Sequence, residues 1–238
     1  MIVAIPSKGR AGKIKSQKII PSALLYVPEN EVEGYKQTGG KNVVAVPNDV
    51  RGITKTRNWI LDNTEDPWVV MIDDDVMTHG WIKLFTFRTT KIPLDEKEWL
   101  GEWRKLFELT EDRGYRIWGV ATDGAPQSVY PWKPFLWRTY ITASCMGILN
   151  DGRTRFDENF PVKEDYELCL RCIKEDGGIV GARYIHWRND HWKSAGGCKD
   201  YRTQEMELMA IRRLMRLYPG MIRKITRGGS EFSIELDF

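Results

Sequence analysis

Asp73, Asp74 and Asp75 follow the apolar run Trp68 to Ile72 (WVVMI) directly. Side chains alternate along an extended chain, so Asp73 and Asp75 are predicted to point one way and Asp74 the other. Two carboxylates converging at a strand end repel unless a cation sits between them. Oxygen-rich sites of this kind suit Mg²⁺ or Mn²⁺, ions that also bridge nucleotide phosphates. The plain alternative is an exposed acidic turn or a helix N-cap, both of which Asp favours. The context favours the metal, because open α/β sheets bind ligands at the carboxyl ends of their strands. Cys169-x-x-Cys172 has the spacing of a zinc or redox pair, but it lies in the helical pattern YELCLRCIKE with no second pair at zinc-ribbon distance. A buried pair one turn apart is the expectation. Lys8, Arg10, Lys13, Lys15 and Lys18 form an acid-free basic stretch near the start, and Arg212, Arg213, Arg216, Arg223, Lys224 and Arg227 a second near the end. Either is a solvated face or a contact for phosphates.

The elements that must position these groups alternate through the first half. Met1 to Ile5, Ala23 to Val27, Asn42 to Val46 and Trp68 to Ile72 are predicted strands, with a short helix in ENEVEGYKQTGG and another over Thr54 to Asn63. Uninterrupted apolar strands separated by helices imply a parallel sheet covered on both faces. Neither G-x-G-x-x-G nor a P-loop occurs, which argues against a dinucleotide or P-loop domain. The second half predicts helices over Glu96 to Arg113, Lys163 to Asp176 and Thr203 to Leu217, and strands over Arg116 to Ala121 and Tyr140 to Leu149. Residues 125–138, rich in Pro and aromatics, read as a structured loop. The 238 residues carry 36 Lys+Arg against 33 Asp+Glu, a net charge of +3, which excludes binding nucleic acid by bulk charge alone. The composition, 42% hydrophobic and 11% aromatic, excludes a disordered chain. No apolar run reaches the ~18 residues a membrane span needs, and the opening MIVAIPSKGR has no signal-peptide pattern, so a cytoplasmic protein is expected. The four cysteines predict no disulfide framework. With no linker or repeat, one domain over 1–238 is expected, residues 1–78 forming one half and 79–238 the other.

The strand-plus-acid pattern VVMIDDDV resembles the D-x-D element of GT-A-type glycosyltransferases, which use sugar nucleotides and Mn²⁺ or Mg²⁺. Other segments fall in that family's order. IPSKGR resembles its first strand and nucleotide-binding loop, LLYVPENEVEGY and NVVAVP its next two strands, and GITKTRNWILDN the helix whose Arg-Asn pair precedes the D-x-D strand. Downstream, VKED (Val162 to Asp165) resembles the x-E-D element, and Ile185-His186-Trp187 follows where a metal-binding His is often found. The similarity covers about residues 1 to 190. More narrowly, the IPSKGRAGK opening, the small size and the basic segments resemble the TET-associated glycosyltransferases of phages, whose activity is transfer of sugar onto hydroxymethylated pyrimidines in DNA.

The resemblance implies a GT-A, Rossmann-like α/β fold: a mixed, mostly parallel sheet flanked by helices, with a nucleotide-sugar half and an acceptor half carrying a basic C-terminal helix. It implies a UDP-hexose donor such as UDP-glucose, Mn²⁺ or Mg²⁺ as cofactor, a hydroxymethylated base such as 5-hydroxymethylcytosine in DNA as acceptor, and the cytoplasm of a phage-infected cell. Pro6, Ser7 and Arg10 would face the nucleotide, with Arg suited to phosphate oxygens. Arg57 would lie near the D-x-D loop, pairing with an aspartate or touching phosphate. Asp73 and Asp74 would serve the nucleotide sugar, with Asp75 and Asp73 at the metal. His186 would add a nitrogen ligand, and it shares the segment IHWRNDH, read as a loop after a strand, with His191. Glu164-Asp165 would remove the acceptor proton, Asp165 being the base if the reaction inverts; capping of the helix is the structural alternative. Trp132, Trp137, His191 and Trp192, in loops, would meet the sugar or an extruded base, and Arg212, Arg213 and Arg216 the DNA phosphates. Gly196 and Gly197 would let a loop order over the donor. Transfer to carbohydrate or protein, nucleotidyl transfer, and a non-catalytic basic nucleic-acid-binding module are the other readings the sequence admits.

Overall fold

The computed structural model describes residues 1–85, 88–122, 133–189, 202–227 and 230–237. In chain order these form β1 (Ile2–Pro6), β2 (Leu24–Pro28), α1 (Val32–Gln37), β3 (Val43–Val46), α2 (Ile53–Asp62), β4 (Trp68–Ile72), β5 (Val76–Phe85) and β6 (Arg88–Ile92). Then come α3 (Glu96–Asp112), β7 (Ile117–Ala121), β8 (Phe135–Leu136), β9 (Cys145–Leu149), α4 (Glu164–Asp176), β10 (Val180–Asn189), α5 (Gln204–Leu217), β11 (Ile222–Arg227) and β12 (Ser230–Leu236).

One sheet runs β3-β2-β1-β4-β9-β7-β10-β5-β6, with β8 on β10, and β11-β12 form a separate hairpin. β3, β2, β1 and β4 pair in parallel. β9 is antiparallel to both neighbours, β4 and β7, so β7 and β10 again run with β1. The carboxyl ends of β1, β4, β7 and β10 therefore share one edge with the amino end of β9. This mixed, mostly parallel sheet flanked by helices is the GT-A architecture that the resemblance implies.

Each face of the sheet has its own apolar cover. On one face α3 buries Trp99, Trp103, Leu106 and Phe107 against Trp118 and Trp187. A capping box starts that helix: the Asp95 carboxylate accepts from Glu98 N and the Glu98 carboxylate from Asp95 N, both at 2.8 Å. On the other face Ile60 and Leu61 of α2 and Leu168, Cys169 and Ile173 of α4 pack together. Cys169 and Cys172 are buried thiols one turn apart, and burial pushes both up in pKa, the second to about 12.

Four stretches differ from the sequence-based expectation. β9 covers only the second half of the strand expected over 140–149, and residues 140–144 lie outside it. The antiparallel pair β5-β6 and the hairpin β11-β12 are additional; their short, polar-rich runs lack the apolar continuity that marks β4. Where a loop is expected at His186, β10 runs on to Asn189, held between β7 and β5.

Gly147 shows how tightly the sheet is packed. A Cβ there would lie 1.9 Å from the Trp118 indole, on the neighbouring strand. Gly147→Ala is expected to lower unfolding stability by about 3 kcal/mol through overpacking. Gly101, in α3 with nothing within 4 Å, is the contrast. Gly101→Ala should raise stability by up to about 1 kcal/mol through helix propensity. Urea midpoints measure both, and equal effects of one sign would contradict this packing.

Candidate active site

The first loop folds onto the acidic turn. Ser7 N extends the β1–β2 ladder by donating to Tyr26 O (2.9 Å), and the Ser7 hydroxyl meets Tyr35 OH at 2.8 Å and donates to the Asp74 carboxylate. Gly9, at φ 67°, turns the chain. Arg10 then brings Nη1 to both Asp74 Oδ1 and Asp75 Oδ2, the latter at 3.0 Å. The backbone amides of Lys15 and Ser16 donate to Asp74 O at 2.8 and 3.3 Å, and the Ser16 hydroxyl donates to Asp73 O.

The alternation predicted for the three aspartates is corrected here. The strand ends at Ile72 and residues 74–75 form a turn, so period-two geometry does not extend to them. Asp74 and Asp75 converge on Arg10, while Asp73 turns to Arg57 (Nη2 to Oδ1, 3.5 Å) and to Asn189, whose Nδ2 donates at 2.9 Å. Burial pushes the Asp74 carboxyl up, Ser7 and Arg10 pull it down without cancelling that, and Asp75 adds to the rise. Arg10 moves up as well: burial lowers it, but Asp74 and Asp75 outweigh the burial.

Arg57, buried on α2, joins this turn to the second acidic pair. Its Nη1 donates to Glu164 Oε1 at 2.6 Å, its Nη2 reaches Ala143 O at 3.4 Å, and its guanidinium lies 5.4 Å from the Phe156 ring centre. Next to it on the helix, Asn58 exchanges bonds with Phe156, accepting from its N at 2.8 Å and donating to its O at 2.9 Å. The predicted Arg-Asn pair thus pins α2 to the segment leading into α4. Glu164 is buried; desolvation and then the Asp165 charge push its carboxyl up to about 7, against Arg57, which favours the carboxylate. Asp165 is half-buried. Its Oδ2 accepts from Tyr140 OH at 2.5 Å and its Oδ1 from Tyr166 N at 2.9 Å, while the two tyrosine rings stack with centroids 3.9 Å apart. Burial, then Asp165, drives the Tyr140 phenol well above its ordinary value, so it stays a donor. Beside Tyr140 a cavity of about 100 Å³ opens where β10 loses register with β7 between Ala182 and His186; Thr139, Thr142 and Arg183 line it.

The other predicted residues are placed as follows. Pro6 closes β1, buried, just before Ser7. His186 is fully buried inside the sheet, with Nδ1 3.0 Å from Gly80 O. Asn189, three residues or about 10 Å further along the strand, is the β10 side chain that meets Asp73. Among the described residues no three His, Cys, Asp or Glu side chains form a group that could hold a metal ion. Trp137 lies at the opposite edge: its carbonyl accepts from Ile179 N, and Arg113 stacks on its ring at 4.3 Å. That is one length of α4, about 20 Å, from Glu164. Arg212 and Arg216 are exposed on α5, whereas Arg213 turns inward, 5.1 Å over Phe160 and 3.9 Å from Asp157. Trp132, His191, Trp192, Gly196 and Gly197 lie outside the described residues. Sequence reasoning missed Tyr140, Tyr35 and Asn189, and no local pattern in the chain marks them.

The donor set fits a divalent ion of one kind. Mg²⁺ and Mn²⁺ bound with nucleotides take one or two protein carboxylates and complete their shell with phosphate oxygens and water. Asp75, paired here with Arg10, and Asp73, paired with Arg57 and Asn189, would be the carboxylates offered to an ion that arrives with a diphosphate rather than one held in a protein cage.

A family model described as TET-Associated Glycosyltransferase matches residues 1–197. The chain belongs to that family. Membership places it among glycosyltransferases, and solved structures share the fold. Glucosyl-3-phosphoglycerate synthase from Mycobacterium tuberculosis, in complex with phosphoglyceric acid, superposes with TM-score 0.56 at 13% identity over 92% of this chain and 81% of that one. The same enzyme with Mn²⁺, UDP-glucose and glycerol 3-phosphate gives 0.53 at 14%, over 95% and 83%. S. aureus TarS 1-349 in complex with UDP-GlcNAc gives 0.52 at 11%, over 90% and 67%. In another TarS 1-349 structure the chain spans 59% of that chain's length. No curated protein matches the sequence. The family match ends before α5, leaving that helix and the β11-β12 hairpin outside it. Among the described residues no helix is long and apolar enough to cross a membrane.

The raised Glu164 carboxyl has a measurable effect. Its folded value, about 7, lies above its ordinary 4.5, so its contribution to stability is complete below pH 4.5 and lost as pH rises through 7. Glu164→Gln removes that titration. Wild type should lose up to about 3 kcal/mol relative to the variant across this window. Urea midpoints at stepped pH test it, and parallel curves for the two proteins would contradict it.

Proposed function

We propose that this protein transfers a hexose from a UDP-sugar to the hydroxyl of a hydroxymethylated pyrimidine in DNA. The observation that carries the reading is the Arg57 guanidinium, which holds the acidic turn after β4 and the Glu164-Asp165 pair at one edge of a GT-A sheet. Residues 1–78 form the nucleotide-sugar half and 79–238 the acceptor half. Ser7 and Arg10 sit where a diphosphate meets the first loop, and Asp73 and Asp74 bound the same space. A divalent ion held by Asp75 and Asp73 would offset the charge growing on the departing diphosphate. In an inverting transfer Asp165 accepts the proton of the acceptor hydroxyl. That oxygen bonds to the anomeric carbon as the carbon–oxygen bond to the diphosphate breaks, and UDP leaves. Tyr140 and Tyr166 N hold the Asp165 carboxylate still for this step, and the cavity that Tyr140 also lines offers space for part of an acceptor.

Three lines support the UDP-sugar and DNA assignments. The GT-A neighbours were solved with UDP-glucose and UDP-GlcNAc. The family name associates these proteins with TET enzymes. Exposed Lys8, Lys13, Lys15 and Lys18 flank the first loop, and Arg212 and Arg216 face outward on α5. His186 and Trp137 have packing roles in this proposal.

Incubation with Mn²⁺, labelled UDP-glucose and duplex DNA with or without 5-hydroxymethylcytosine tests the reading. Label should enter only the modified DNA, and Asp165→Asn should lower kcat at least 100-fold while leaving UDP affinity within about twofold. Asp75→Ala should abolish the Mn²⁺-dependent part of UDP binding measured by calorimetry. Absence of transfer with every nucleotide sugar, together with unchanged UDP binding in Asp75→Ala, would remove the proposal. For the DNA face, Arg212→Ala/Arg216→Ala should reduce the slope of log K against log salt by about 2. An unchanged slope would return α5 to an ordinary solvated helix.

A further inference from the structure

The start of α4 is held from behind by a part of the chain that lies outside the family match. Lys163, the residue before Glu164, is left-handed at φ 59°, a conformation that favours glycine and that among described non-glycine residues only Asn42 shares. No side chain caps the helix there. Backbone of this kind persists only where surrounding contacts over-determine it. Those contacts come from α5. Lys163 Nζ, nearly buried, pairs with Glu207 Oε2 at 3.0 Å and lies 5.3 Å over the Tyr166 ring. Glu207 is itself buried and also takes Arg202; burial raises its carboxyl, but Arg202 and Lys163 outweigh that and hold it below its ordinary value. One turn on, Tyr218 OH donates to Glu167 Oε1 at 2.8 Å, and Ala210, Ile211, Leu214 and Tyr218 close an apolar cluster with Phe160, Val162 and Leu170.

We propose that Glu207 is a positioning residue for sugar transfer: through Lys163 it fixes the left-handed backbone that aims the Asp165 carboxylate. This rests on the reading of Asp165 as the base. The front of the α4 start is set by Arg57 and Tyr140, which belong to the family-matched residues. The rear is set by α5, so Glu207 supports the site from the C-terminal segment without itself meeting the Asp165 carboxylate.

The test compares wild type with Glu207→Gln, Lys163→Gly and the double variant. Activity is measured with Mn²⁺, UDP-glucose and 5-hydroxymethylcytosine DNA, and backbone hydrogen exchange is followed over residues 160–170. Glu207→Gln keeps the size and removes the charge. It should lower kcat about tenfold with the UDP-glucose KM within twofold, and speed exchange at residues 164–167 while β1 and β4 amides stay unchanged. Glycine adopts the left-handed conformation without help, so adding Glu207→Gln to Lys163→Gly should cost less than twofold further. Unchanged kcat and unchanged exchange in Glu207→Gln would overturn the proposal. So would a parallel loss of UDP-glucose KM and of exchange protection throughout the sheet, since that marks general loosening. If Asp165→Asn keeps full activity while Glu207→Gln still loosens residues 164–167, the base assignment is what has failed, and the positioning role falls with it.

Discussion

A buried guanidinium organises this molecule. Arg57 cannot return its charge to water, so it must be matched by carboxylates within reach. Its partners come from distant parts of the chain: Asp73 lies 16 residues away and Glu164 107 residues away. Satisfying one side chain therefore requires α2, the turn after β4 and the start of α4 to meet at one point. The stacked Phe156 ring and the Asn58 bonds to the same segment leave Arg57 little freedom to choose another geometry.

A second charge arrangement is layered on the first. Arg10 reaches the acidic turn from the opposite side, so Asp73, Asp74 and Asp75 are divided between two arginines. The turn carries three carboxylates, one of them sharing Arg57 with Glu164, in a chain whose overall balance is +3. The lysines of the first loop are exposed. Carboxylates and cations thus sit side by side within one loop and the turn it packs on, and the net charge of the protein conceals both.

The acidic residues at the site differ in what burial allows them to do. Glu164 and Asp74 are enclosed and committed to arginine, which suits them to hold other groups in place. Asp165 and Asp73 are half-buried and keep part of their surface open to solvent. Adjacent carboxylates in DDD and in ED thus acquire separate tasks from their surroundings alone. The aromatic residues divide in the same way: Tyr140 serves the site through its hydroxyl, while Trp99, Trp103, Trp118 and Trp187 fill the core beneath α3.

Continuous apolar runs such as WVVMI and helical spacing in α2, α3 and α4 are local properties, so the order of the first-half elements, their parallel pairing and the position of DDD at the carboxyl edge were legible in the chain. Family resemblance added the E-D pair. Which carboxylates face each other was not legible, because strand alternation stops where the turn begins and the contacts of Arg10 and Arg57 are long-range. His186 shows the same limit: a histidine between Ile185 and Trp187 fits a loop or a strand, and pairing of β10 with β5 and β7 buries it. Trp137 was separated from the site by the direction of α4, which no local pattern encodes. Residue type and spacing alone determined the chemistry available at the sheet edge. Tertiary packing decided which side chains share it, because a buried charge accepts whichever partner the fold brings within about 3 Å.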